Sequence, residues 1–195
     1  LRHRGYTWEN LTSFLYLTTE GIFSTAVGVA ASYIFLFVLF GAVLQKSGMG
    51  QFFNDIALAL AGQSRGGPAK VAVVASGFLG SINGAAVANV VTTGAFTIPM
   101  MKRVGYKPVF AGAVESSASV GGQILPPVMG AAAFIMAETL GMPYRDIAIA
   151  ALVPALLYYL GVIAQVHLRA TKEGLRGISK ENLPAVKEVL KERGH

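Results

Sequence analysis

Four stretches of this chain, residues 21 to 45, 71 to 101, 116 to 137 and 147 to 168, contain no Asp, Glu, Lys or Arg. Each is at least as long as the ~20 residues with which a helix crosses bilayer hydrocarbon. A soluble domain spreads charge over roughly 25% of its residues. Here residues 1 to 170 hold 16 charged side chains, while the last 25 residues hold 10. The first 170 residues therefore lack the polar shell that water demands, and lipid is the solvent that suits them. Open sheet edges leave backbone groups unsatisfied in hydrocarbon, and alternating barrel strands are not what these runs show. The expected class is an all-α integral membrane protein.

The same composition excludes other classes. The net charge is +6, but the basic residues flank apolar runs and form no patch interleaved with aromatics, so nucleic acid is not an expected partner. The absence of cysteine removes disulfides and thiolate metal sites. No Gly-x-x-x-x-Gly-Lys loop and no His-Glu-x-x-His is present, and no histidine lies within a span to serve a buried serine, so an enzyme is not expected.

Along the chain, residues 1 to 24 are mixed, with Arg2, Arg4, Trp8 and Tyr16 placed as an interfacial approach would place them. A first helix is expected from Thr25 to Gln45, too long for a signal-peptide core. From 46 to 62, Met49, Phe52, Phe53, Ile56 and Leu60 recur at helical spacing opposite Gln51, Asn54 and Asp55, predicting an amphipathic helix in the interface plane. Arg65-Gly66-Gly67-Pro68 then breaks the chain and sets a new helix start.

From Ala69 to Met101 an apolar segment is interrupted by Gly80-Ser81-Ile82-Asn83-Gly84. A limb from Ala69 to Leu79 is only ~16 Å long at ~1.5 Å per residue. It would reach mid-membrane and turn back, giving a re-entrant hairpin over 68–101; one long tilted helix is the alternative. Gly105-Tyr106-Lys107-Pro108 opens a broken helix over 107–140, interrupted at Gly121-Gly122-Gln123 and Pro126-Pro127 and resuming near Pro127. A last span covers 147–168, with Tyr158 and Tyr159 in its middle. The polar tail, 169–195, suits a cytoplasmic linker with a short amphipathic helix from Pro184 to Arg193. Three parts result: 1–64 as a scaffold-type helix and interfacial arm, 65–168 as a transport-type half-domain, and the tail.

Hairpin or helix pair, the parity is the same. Lys46, Arg65, Lys70, Lys102, Arg103, Lys107, Arg169, Lys172 and Arg176 fall on one side, against Arg2, Arg4 and Arg145 on the other. The richer side is expected to be cytoplasmic.

Candidate chemistry sits at two breaks, Ser81 to Gly84 and Ser117 to Pro127. Unwound backbone in hydrocarbon is tolerated where it lines a cavity, and it offers the carbonyl and hydroxyl oxygens that a hard cation such as sodium takes. The competing reading is that small residues, as in Gly80 to Gly84, merely let helices pack. Asn83 and Asn89, six apart, could face one cavity, bonded either to hairpin backbone or to a ligand. Glu115 could bind a cation, relay a proton or pair with a nearby base; its position eight residues beyond Lys107 favours a shallow, structural role. His167, beside Arg169, reads as a helix-terminus contact.

The run Gly80-Ser81-Ile82-Asn83-Gly84-Ala85-Ala86-Val87-Ala88-Asn89, with Ile98-Pro99-Met100-Met101-Lys102-Arg103-Val104-Gly105-Tyr106, resembles the large membrane subunit of tripartite ATP-independent periplasmic (TRAP) transporters. The likeness continues through Ala113-Val114-Glu115-Ser116-Ser117-Ala118-Ser119-Val120-Gly121-Gly122-Gln123-Ile124-Leu125-Pro126-Pro127-Val128-Met129-Gly130. With Ala131-Ala132-Ala133-Phe134-Ile135-Met136-Ala137-Glu138 it is similar to the fused-permease branch served by TAXI-type binding proteins. The resemblance, from about Thr18 to Thr171, implies a sodium-driven secondary importer of small organic acids in a bacterial or archaeal inner membrane. It implies an elevator fold with two inverted repeats, each with a re-entrant hairpin and a broken helix, of which one set is visible here. The chain then reads as a fragment, its partners being a periplasmic substrate-binding protein, small-subunit helices and a second repeat.

Carried across, the family's first sodium site falls on Ser81 and Asn83 at the hairpin turn and on the stretch around Ser119 and Gly122, with Ser81, Asn83 and Gly122 as the expected ion ligands. Gly84, Asn89, Ser117 and Gly121 complete the candidate ion- and substrate-binding set, and Pro126 and Pro127 mark the helix break. Asn83 stands where many relatives have serine. Sodium is the coupling ion and no other cofactor is expected. The rival readings are a passive pore or half-channel with a re-entrant selectivity loop, and a fragment without autonomous activity.

Overall fold

The charge-free runs fold as helices in the computed structural model, which describes residues 5–175, 177–178, 183–184 and 189, and no strand occurs among them. Helix α1 is Trp8–Leu17, where Thr7 caps the first turn by accepting from the Asn10 N–H at 3.3 Å. Helix α2, Thr25–Lys46, is continuous through a π-helical turn at Ala30–Ile34. Helix α3, Met49–Ala61, is the amphipathic one: its Ala57 is buried and its Phe53 ring lies 5.6 Å from that of Phe78.

Helices α4, Gly67–Asn83, and α5, Ala86–Arg103, form an antiparallel hairpin. Ser76 touches Thr93 at 3.0 Å, while near the turn Gly80 lies against Asn89, so the two limbs run past each other in opposite directions. At the open end Met100 packs with Val71 and Ala57, and Met101 with Ala69. The reversal comes later than the sequence suggests. Helix α4 does not stop at Leu79 but keeps helical form through Gly80, Ser81 and Asn83, and the chain turns at Gly84 and Ala85. Propensity is a weak force against packing, and Gly80 is held from both sides by Asn89 and Gly122. Gly84 ends the helix with φ 62°, and its N–H donates to the Gly80 carbonyl at 2.9 Å.

Helix α6, Pro108–Gly121, and helix α7, Ala131–Leu140, flank the second interruption. Helix resumes at Ala131 and not at Pro127. Pro126 and Pro127 have no N–H, Met129 sits at φ 57° and Gly130 is extended, so the chain cannot coil before residue 131. Helix α8, Tyr144–Lys172, is longer at both ends than the expected span, with Pro154 inside it. Together α2 and α8 are the two helices among the described residues long and apolar enough to cross a membrane. Large apolar side chains of α8, including Leu152, Leu156 and Leu160, stand exposed, a surface suited to lipid or a protein partner.

The principal core lies where α4, α5, α6 and α8 meet, built on Ala69, Ala72, Ala111, Ala118, Val166 and Ala170 with Met101 and Tyr106. Small side chains let these helices approach closely without a hydrophobic drive from water. A second cluster joins α2 to α7 and α8 through Phe134, whose ring stacks 4.5 Å from Tyr144 and lies tilted 4.9 Å from Phe37.

Several of the basic residues lie close together at one end of the bundle. Gly66, beside Arg65, lies against Tyr106 and Ala170; Lys70 Nζ stands 3.1 Å from His167 Nδ1; and Arg169 lies over the Phe110 ring. Arg145 is at the opposite end of α8. The expected helix from Pro184 to Arg193 falls outside the described residues apart from Pro184 and Val189, and the placements of Arg2, Arg4 and Arg176 fall outside them too.

Candidate functional site

The two interruptions predicted from glycine and proline are adjacent in space. Gly80 and Gly122 cross so closely that an added Cβ on either would strike the other's backbone within 3 Å. Next to this crossing the Ser81 carbonyl accepts from the Val128 N–H at 2.9 Å, and a Cβ on Gly84 would lie 2.1 Å from the Met129 carbonyl oxygen. Hairpin turn and unwound stretch are thus fastened by backbone, which only glycine permits at these three places.

Each candidate residue has a definite setting. Ser81 is buried and its hydroxyl donates to the Phe78 carbonyl at 2.9 Å. Asn83 uses its side-chain oxygen to accept the Ala85 N–H at 3.1 Å, so of its two expected fates it takes the bond to hairpin backbone. The Gly122 carbonyl accepts from the Leu125 N–H at 3.4 Å, a long bond that leaves most of its capacity free. Gly121 lies against Tyr158 and Tyr159, where a Cβ would meet a ring carbon at 2.6 Å. Ser117 is exposed, and its carbonyl accepts from the Tyr158 hydroxyl at 2.8 Å. Pro127 offers its carbonyl to the Tyr144 hydroxyl at 3.2 Å, and Val128 does so too. Pro126 supplies no backbone donor.

Asn83 and Asn89 do not share a cavity. Asn89 is fully buried a turn deeper, where its amide N–H groups donate to the Ser76 carbonyl at 2.9 Å and to Ser119 Oγ at 3.2 Å. Its side-chain oxygen is buried without a hydrogen-bond partner among the described residues.

Asn89 and Ser119 belong to a centre that sequence reasoning missed. Glu115 is fully buried and pairs with no lysine or arginine among the described residues. Its Oε1 receives Ser76 Oγ at 2.8 Å, Ser119 Oγ at 3.2 Å and Thr93 Oγ1; its Oε2 receives Thr97 Oγ1 at 2.5 Å. Of the roles open to it, pairing with a base is not the one seen: four hydroxyls from α4, α5 and α6 surround it instead. The signal was present in the spacing: Asn89, Thr93 and Thr97 recur every fourth residue, as do Glu115 and Ser119, which lays one polar stripe on each helix.

Two further arrangements bear on what the interruptions can bind. The first residues of α5 and α7 have no side-chain cap, and their approaches meet where Gly84 touches Met129 and Gly130. Two helix N-termini without a side-chain cap thereby come near each other, an arrangement that favours negative charge. At the end of α6, the Gly122 N–H donates to Ser119 at 3.2 Å, and the Tyr159 hydroxyl donates to the Ala118 carbonyl at 2.8 Å. Tyrosine hydroxyls of α8 therefore cap the helix that the break cuts short.

A family model described as "Tripartite ATP-independent periplasmic transporter, DctM component" matches residues 6–194. The chain is 27% identical over 162 residues to the C4-dicarboxylate TRAP transporter large permease protein DctM of Pseudomonas aeruginosa, covering 83% of this chain and 38% of that protein. It is 31% identical over 91 residues to the 2,3-diketo-L-gulonate TRAP transporter large permease protein YiaN of Escherichia coli, covering 47% of this chain and 21% of that protein. The chain thus spans well under half the length of the curated relatives it matches.

Proposed function

We propose, for a chain that belongs to the DctM component family of tripartite ATP-independent periplasmic transporters, that it forms part of a sodium-coupled importer of small organic acids in the inner membrane. On this reading residues 65–168 are the moving, transport-type portion and 1–64 the scaffold side. The hairpin of α4 and α5 is re-entrant, and a periplasmic binding protein, small-subunit helices and a second repeat complete the transporter. No catalytic step is involved, since the family is a permease family and not an enzyme family.

The observation that carries the reading is the meeting of the two interruptions at Gly80 and Gly122. Irregular backbone at membrane depth is the usual ground for ion and substrate sites in secondary transporters. The Gly122 carbonyl, with its long bond to Leu125, and the oxygens of Ser81 and Asn83 supply hard ligands for sodium once the local bonds to Phe78 and Ala85 are exchanged. The uncapped N-termini of α5 and α7 suit the carboxylate of an organic acid, the chemistry named for the Pseudomonas aeruginosa and Escherichia coli relatives.

The test is substrate uptake by the complete transporter as external sodium is varied. The double variant Ser81→Ala with Asn83→Ala should require far more sodium for half-maximal uptake, while binding of substrate to the periplasmic protein stays as it was. Unchanged sodium dependence in that variant would place the ion elsewhere.

A further inference from the structure

From the Glu115 pocket we infer that this chain holds a second monovalent-cation site, centred on that carboxylate and separate from the Ser81, Asn83 and Gly122 site; the inference rests on the sodium-coupled reading above. Its ligands would be the Glu115 carboxylate with Ser76, Thr93, Thr97 and Ser119, and sodium is the cation its chemistry selects.

The first ground is charge. A carboxylate buried to 0% exposure needs a partner. Among the described residues none of the four elements around it brings a basic side chain to it. Lys70 of α4 is spent on His167; Lys102 and Arg103 are exposed at the end of α5; Lys107 is exposed ahead of α6; Arg169 of α8 pairs with Glu173. The aromatic neighbour from α8, Tyr159, donates to the Ala118 carbonyl.

The second ground is a shortage of hydrogens. A hydroxyl carries one proton. Thr93 Oγ1 stands 2.7 Å from the Asn89 carbonyl as well as against Glu115 Oε1, and Thr97 Oγ1 stands 3.0 Å from the Thr93 carbonyl and 2.5 Å from Oε2. Ser76 Oγ likewise faces both Oε1, at 2.8 Å, and Thr93 Oγ1, at 3.0 Å. Three hydroxyls therefore meet two oxygens apiece with one hydrogen, so lone pairs oppose one another unless a cation, or a proton on the carboxyl, lies among them; the sodium-binding comparison with Glu115→Gln tells the two apart.

The third ground is independent of both. Asn89, fully buried and bonded to Ser76 and Ser119 of the same cluster, has a side-chain oxygen with no donor among the described residues. The groups that face the Glu115 carboxylate are hydroxyl oxygens, which suit a hard cation such as sodium. The pocket is closed between the hairpin and α6, so loading requires those helices to part, and occupancy is thereby tied to movement of the hairpin.

The experiment is equilibrium binding of radiosodium to the purified, complete transporter, with choline chloride as the ionic-strength control. The native protein is compared with Glu115→Gln, with Thr97→Val and with the Ser81→Ala, Asn83→Ala double variant. Glutamine keeps the volume and removes the charge, and a thermal unfolding midpoint close to native checks that it folds. Glu115→Gln should bind one sodium ion fewer, and Thr97→Val should weaken one class of site about tenfold or more. The double variant should lose a different ion and keep the one that Glu115 holds. Full native binding in Glu115→Gln, with loss only in the double variant, overturns this inference and leaves the proposed function standing. Absence of any saturable sodium binding to the native protein overturns both.

Discussion

A Cβ built on Gly122 would lie 2.6 Å from the Cα of Gly80, and one built on Gly80 would lie 2.9 Å from the Cα of Gly122. Real Cβ atoms do not come so near backbone, so the hairpin and the broken helix can meet only where both residues lack a side chain. That contact holds the two interruptions at one level and brings the oxygens of Ser81 and Gly122 into the same neighbourhood.

Gly122→Ala, and separately Gly80→Ala, should push α4 and α6 apart. Overpacking of this kind costs ~1–3 kcal/mol. The thermal unfolding midpoint in detergent should fall in both variants, whereas Gly112→Ala should leave it close to native, because nothing lies within 4 Å of an added Cβ there. Equal midpoints for Gly112→Ala and Gly122→Ala would show that the crossing is not tight.

Tyr159→Phe should destabilise the fold by about 1 kcal/mol, the usual net value of one buried hydrogen bond. Its hydroxyl supplies the Ala118 carbonyl, which a continuing helix would have paired with the Gly122 N–H. The same midpoint measurement checks it. A phenylalanine variant as stable as native would mean that the carbonyl finds another donor.

The helical elements were legible because lack of charge, glycine-proline breakers and lysine-arginine flanks act locally. Boundaries were less so. Gly80 and Ser81 look like helix breakers in isolation, yet Asn89 and Gly122 hold them helical, and that information lies on other helices. The Glu115 pocket is the clearest case: Ser76, Thr93, Thr97 and Ser119 reach one carboxylate from three helices, and no local pattern reports that meeting. The four-residue spacing of Asn89, Thr93 and Thr97 did mark a polar stripe, but not what the stripe faces.

Tyr106 gives a pH signature outside the spans. Its buried hydroxyl has no hydrogen-bond partner among the described residues, and burial first, then the charge of Glu173, pushes the phenol up to about 12 from 10.0. The folded state therefore keeps a proton that the unfolded chain releases, so stability falls as pH rises from 10.0 toward about 12. Tyr106→Phe should lack that part of the alkaline loss and match or exceed native stability at neutral pH, since it removes an unsatisfied buried group. Denaturant titrations at neutral and alkaline pH compare the two; an identical alkaline slope would contradict the assignment.

Lys102 and Arg145 should lie on opposite sides of the membrane, as their places at opposite ends of the bundle and the charge asymmetry require. Single cysteines at these positions, probed from the periplasmic side with an impermeant thiol reagent, should label at 145 and stay unlabelled at 102. Labelling at 102 would reverse the orientation.

The central claim, coupling of organic-acid movement to sodium at the meeting of the two interruptions, is tested most directly by uptake of a labelled C4-dicarboxylate into proteoliposomes. These would contain the complete transporter, supplied with its binding protein, under an imposed sodium gradient. The account predicts accumulation that follows the inward gradient and falls to background when choline replaces sodium, with Gly122→Ala reducing it sharply. Uptake of equal rate and extent with the sodium gradient collapsed would contradict it.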